Sequence, residues 1–108
     1  MARTMNRGDV YLCRFAPPDK PRPVVILTRD TSIEQLGTVT VAPITSTIRD
    51  VPSEVVLTLD DGMKGPCAVN LHNTVTISQQ RLDRRVASLN AEKMNEICAA
   101  LRFSLGCG

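Results

Sequence analysis

Pro23-Val24-Val25-Ile26-Leu27-Thr28 is the stretch on which the fold turns. It is apolar almost throughout and rich in β-branched residues. It is too short for a stable helix and sits between prolines on one side and Arg29-Asp30 on the other. Restricted χ1 rotamers suit such residues to a pleated surface, and the lack of alternation marks a strand buried on both faces. Working outward, Thr38–Ile44 reads as a third strand, in which Thr38, Thr40 and Ala42 alternate with Val39, Val41 and Pro43. Pro43, with no N–H to give, predicts the end of the regular ladder or a bulge. Val10–Phe15 is a first strand, and Ser53–Leu59 a fourth that runs into the hairpin-turn signal Asp60-Asp61-Gly62. Cys67–Leu71 and Thr74–Ile77 read as a fifth strand interrupted near His72-Asn73, and Arg84–Ser88 as a short sixth. Ala16–Pro23 carries four of the seven prolines and is a stiff loop, while Arg29–Gly37 and Thr45–Pro52 are polar connections.

The periodicity changes after Leu89. Met94, Ile97, Cys98, Leu101 and Leu105 form one apolar stripe at helical spacing. Asn90 is the natural N-cap, Glu92 complements the helix dipole in the first turn, and Gly106 closes the C-terminus. Five or six short strands and one terminal helix predict a mainly β (α+β) domain. The expected form is a small barrel or strongly curled antiparallel sheet with the amphipathic helix packed on it.

The chain of 108 residues is expected to form a single domain over 1–108. Its 11 Val, 6 Ile and 10 Thr make up a quarter of the residues, against three aromatics, Tyr11, Phe15 and Phe103. That scarcity argues against a binder that stacks bases on rings. Cys13, Cys67, Cys98 and Cys107 form no C-x-x-C pair, so no structural zinc site is expected. We expect a cytoplasmic protein with reduced thiols, three of them core filler, and with no signal peptide or membrane span.

Net charge is only +2, but it is unevenly distributed. Residues 1–29 hold six Lys/Arg and two acids, residues 30–77 hold two and six, and residues 78–108 hold five and three. A polyanion would be drawn to the two ends of the chain if they fold side by side. No nucleophile–histidine–acid set, P-loop or dinucleotide fingerprint is present, and Asp60-Asp61 is the only adjacent acid pair. Two clusters remain. In Lys20-Pro21-Arg22-Pro23 the prolines hold Arg22 extended at a strand entrance, a rigid base for a guanidinium that could meet a phosphoryl group. In Thr45-Ser46-Thr47-Ile48-Arg49 three hydroxyls leave a strand end together, suited to a phosphate or ribose. Taken singly, each is equally a surface arginine beside a proline loop and an ordinary run of turn residues.

The ordered set RGDVY (7–11), RPVVILT (22–28), TVTVAPITST (38–47), SEVVL (53–57) and AVNL (68–71) resembles the MazF/PemK family of toxins from about Arg7 to Leu105. The resemblance implies a small SH3-like antiparallel barrel (PemK/CcdB-like) that forms a homodimer. It implies metal-independent, cofactor-free, sequence-selective cleavage of single-stranded RNA, with a cognate antitoxin as inhibitor. The family's catalytic arginine and threonine match Arg22 and Thr45. The implied reaction is attack of the ribose 2′-hydroxyl on the adjacent phosphate, leaving a 2′,3′-cyclic phosphate and a 5′-hydroxyl. Many members carry a carboxylate at the position of His72, which is therefore a candidate third catalytic residue as proton carrier. Lys20, Ser46, Thr47, Arg49 and Asn70 are candidate RNA contacts. Ala16–Lys20, Ser46–Asp50 and Gly62-Met63-Lys64 are candidate selectivity loops. The competing reading is a non-catalytic small-barrel binding module or gyrase-poison-like toxin.

Overall fold

In the computed structural model the described residues are 5–15 and 20–107. Seven strands form one antiparallel sheet: β1 (Asp9–Cys13), β2 (Arg22–Ile26), β3 (Thr38–Thr45), β4 (Glu54–Leu57), β5 (Cys67–Asn70), β6 (Val75–Ser78) and β7 (Leu82–Ser88). Two helices complete it, the short α1 (Asp30–Ile33) and the terminal α2 (Ala91–Leu105). The strand order is β4-β5-β3-β2-β1-β7, with β6 paired to β3 off that path. The sheet is therefore strongly curled but open, because β4 and β7 at its two ends are not paired with each other.

β3 makes the curl possible. Thr38–Val41 pair with Ser78–Val75 of β6, and then Ile44 and Thr45 pair with Val69 and Ala68 of β5. Pro43 lies between the two sets. The strand does not stop there, as the proline suggested; it runs on to Thr45 and changes partner. What reads in sequence as one interrupted strand at 67–77 is thus two strands laid end to end along β3. Where a plain turn was expected after Thr28, Asp30–Ile33 forms a helical turn that buries Ile33. Asp60-Asp61-Gly62 does join two paired strands, but through a 3₁₀ turn at Leu59–Asp61 capped by Thr58 and closed by Gly62 at φ 90°.

The curl creates two apolar clusters. One gathers Tyr11, Cys13, Val24, Ile26, Val39 and Val41 with Ile33 and Ile77. The other gathers Val10, Val25, Ile44, Val55, Leu57 and Val69 beneath Met94, Ile97 and Ala100 of α2. Val24, Val25 and Ile26 are at most 1 % exposed, so the centre of the run at 23–28 is buried on both faces, with Pro23, Leu27 and Thr28 half-buried at its ends. The N-cap is as expected: Asn90 Oδ1 accepts from Lys93 N at 2.8 Å. Gly106 caps the far end at φ 71°. The apolar stripe is shorter than its periodicity suggested, since Leu105 is 66 % exposed and Ala100 takes an inward place. Cys13 and Cys67 are buried, Cys98 half-buried and Cys107 exposed. None of the described helices is long and apolar enough to cross a membrane.

Candidate functional site: a cationic groove

The pairing of β2 with β3 explains the site. Val24, Val25 and Ile26 lie across from Pro43, Ala42 and Val41. Continuing that register two residues outward sets Arg22 across from Thr45, each at its strand's end. Both line a groove of about 1090 Å³ whose floor includes Leu12, Ile44 and Cys67. Ser46 and Thr47 extend the β3 wall, and Gly62, Met63 and Lys64 from the β4–β5 connection form another. Arg84, Arg85 and Val86 of β7 complete it.

The lining is cationic through Arg22, Lys64, Arg84 and Arg85, and among the described residues it includes no Asp, Glu or His. The Thr45 hydroxyl oxygen accepts from Thr47 N at 3.1 Å. That bond uses a lone pair of Oγ1 and not its proton, so the hydroxyl keeps its capacity to donate. Cys67 is buried, and burial first, then the nearby Asp61 charge, raise its pKa above the ordinary thiol value. A guanidinium facing a hydroxyl donor, in a positive cleft whose described lining has no carboxylate, suits an anionic oxygen.

The other expected site residues are dispersed. Lys20 is exposed and does not line the groove. Arg49 lies past the hydroxyl cluster, 3.9 Å from the buried carboxylate of Glu54. That carboxylate also accepts from the backbone N–H groups of Arg49 and Asp50 at 2.9 and 3.2 Å, holding the loop with Asp50 at φ 57°. Asn70 is buried at the far end of β5, where its side-chain oxygen accepts from His72 N at 3.0 Å. His72 is exposed, and its Nδ1 lies 2.6 Å from Ser53 Oγ. Thr45 pairs with Ala68, so His72 is four residues further along, roughly 13 Å of strand from the Thr45 row. His72 thus stands outside the groove and fastens the β5–β6 turn to the start of β4. Of the three candidate selectivity loops, Gly62-Met63-Lys64 lines the groove and Ser46–Asp50 does so through Ser46 and Thr47. Residues 16–19 of the remaining loop lie outside the described residues.

Arg84 and Arg85 escaped the residue-by-residue reading, although the charge distribution pointed toward them. The chain ends do fold side by side, because β1 pairs with β7.

A curled antiparallel sheet with one packed helix and a positive, hydroxyl-lined groove defines a small domain shaped for an extended anionic chain. Residues 6–105 match the family described as "PemK-like, MazF-like toxin of type II toxin-antitoxin system", and the protein belongs to that family. It is 36 % identical over 104 residues to the "Probable endoribonuclease MazF2" of Mycobacterium tuberculosis, covering 95 % of this chain and 100 % of that one. Among solved structures it is similar to "Mycobacterium tuberculosis toxin MazF-mt6", with 33 % identity, a TM-score of 0.85 and coverage of 93 % and 98 % of the two chains. It is also similar to an "Endoribonuclease in complex with its cognate antitoxin from Mycobacterial species", with 26 % identity, a TM-score of 0.86 and coverage of 96 % and 97 %.

Proposed function

We propose that this protein is a toxin endoribonuclease that cleaves single-stranded RNA in the Arg22–Thr45 groove and is neutralised by a cognate antitoxin. The observation that carries the reading is the placement of Arg22 across from Thr45 in one positive groove. The family membership and the endoribonuclease relatives support the same reaction class.

In this mechanism the substrate supplies its own nucleophile. The ribose 2′-oxygen bonds to the adjacent phosphorus, the bond from phosphorus to the 5′-oxygen breaks, and a 2′,3′-cyclic phosphate and a 5′-hydroxyl result. The protein's task is electrostatic: negative charge accumulates on the phosphoryl oxygens, and preorganised donors aimed there lower the barrier. Arg22 offers two parallel N–H donors, and Thr45 donates its hydroxyl proton to a phosphoryl oxygen. With no carboxylate or imidazole along the described lining, the 2′-proton leaves to solvent and the 5′-oxygen takes one from solvent. No step calls for a metal or cofactor.

The antitoxin is expected to be an acidic, initially disordered segment that folds into this groove and competes with RNA. A homodimer would cover exposed sheet edges such as β7, and we assign the protein to the cytoplasm. The test is incubation of purified protein with a long mixed-sequence transcript in excess EDTA, followed by end-group analysis. Discrete fragments with 5′-hydroxyl ends support the proposal. Intact RNA at every protein concentration would favour the non-catalytic binding module.

A further inference from the structure

β7 carries more residues than the strand beside it. From Val10 to Tyr11, β1 advances one residue while β7 passes from Ala87 to Arg85; from Tyr11 to Cys13, β1 advances two while β7 passes from Arg85 to Leu82. Each step inserts one extra residue. Such bulges re-aim side chains that regular alternation would send to opposite faces. As a result three consecutive residues, Arg84, Arg85 and Val86, all line the groove.

Arg85 is also tethered. Its guanidinium lies 3.9 Å from Asp9, whose side chain is 5 % exposed. Asp9 is itself fixed by donation from Ser88 Oγ at 2.6 Å and from Asn6 N at 3.0 Å. A carboxylate buried this deeply and hydrogen-bonded on both oxygens is a fixed anchor. The Arg85 side chain is itself 55 % exposed and lines the groove.

Arg22 pairs with Cys13 on one side of β1, and Arg85 with Tyr11 on the other. Two strand spacings across and two residues along give a backbone separation of roughly 12 Å. From a base that far away, and drawn toward Asp9, the Arg85 guanidinium is placed away from the phosphoryl group of Arg22. It can meet the backbone of the same RNA further along.

Resting on the proposed RNA reaction, we infer that Arg85 binds a flanking phosphate of the RNA, beside the one held by Arg22, and that Asp9 is its positioning residue. Arg85 then contributes to substrate binding and register, and the chemical step remains with Arg22 and Thr45.

The test compares Arg85→Ala with the parental protein on a mixed-sequence transcript, with thermal melts to confirm folding. KM is expected to rise roughly tenfold with kcat nearly unchanged, since a contact kept equally in ground and transition states acts on KM. The slope of log KM against log salt should become shallower by about 0.7, the value for one lost phosphate contact on a single strand. Asp9→Asn should raise KM by a smaller factor and have no further effect in the Arg85→Ala background, whereas a merely structural role would persist there. If either variant fails to fold, Arg85→Gln and Ser88→Ala probe the same pair. Unchanged KM and salt slope in Arg85→Ala, or a fall in kcat alone, would overturn the assignment. Binding of a fluorescein-labelled, random-sequence 2′-O-methyl oligoribonucleotide judges Arg85 separately: if the parental protein cleaves nothing, the nuclease reading fails, while weaker binding by Arg85→Ala still upholds the contact.

Discussion

Replacing Arg22 by alanine removes the positive charge nearest the proposed phosphoryl position and leaves the rest of the groove in place. Arg22 is exposed at the first position of β2, where its backbone belongs to the ladder with Cys13, and its side chain makes no hydrogen bond or ion pair among the described residues. Its loss should therefore change stability by no more than about 0.5 kcal/mol, the range for surface positions without special contacts. The catalytic cost is much larger. Loss of one preorganised donor to a developing oxyanion costs about 2.7–4 kcal/mol, or roughly 10²–10³ in rate. The assay is single-turnover cleavage of a labelled RNA carrying one mapped cleavage site, with a thermal melt on the same sample. Arg22→Lys should fall between the two, because the ammonium keeps the charge and loses the paired donors. Arg22→Ala and Thr45→Ala together should cost less than the sum of the single losses, as expected for groups acting on one oxyanion. Parental cleavage by a folded Arg22→Ala protein would refute the reasoning.

Further expectations concern the proton, the core and the thiols. If solvent accepts the 2′-proton, the cleavage rate climbs with pH without an inflexion near the histidine range, and His72→Ala has the same profile; a break near neutrality that vanishes in His72→Ala would restore a proton-carrying role. Ile97→Ala, which opens a cavity under α2 at a fully buried position, should cost about 2–5 kcal/mol in denaturant unfolding. Asn90→Ala, by loss of the bond to Lys93 N, should cost about 1 kcal/mol in the same experiment. Burial is the main cause that raises the pKa of both Cys13 and Cys67, so the native fold holds their protons more tightly than the unfolded chain does. Stability should thus fall as pH rises through and beyond the ordinary thiol range, and a native-state thiol titration should find Cys107 reactive first.

Much of the fold was legible because its signals are local. The β-branched run at 23–28, the alternation at 38–44, the helical stripe after Asn90 and the caps at Asn90 and Gly106 depend on a few neighbouring residues. The readings that shifted all involve distant partners. Pro43 ends a ladder only if no new partner waits beyond it, and β5 is that partner. Leu105 fits a helical stripe, but α2 runs beyond the sheet surface that could cover it. His72 looked suited to proton transfer by residue type, whereas its position is set by β5 lying along β3.

The sequence by itself determined most of the strands, the terminal helix and the positive chain ends, because side-chain type and local backbone preference are written residue by residue; Arg22 and Thr45 came together as candidates only through the family resemblance. The tertiary structure alone decided that Arg22 faces Thr45, that the bulges of β7 turn Arg84 and Arg85 toward the same groove, and that His72 stands apart. Those outcomes depend on register between strands far apart in the chain, where a shift of one residue would turn a side chain to the opposite face.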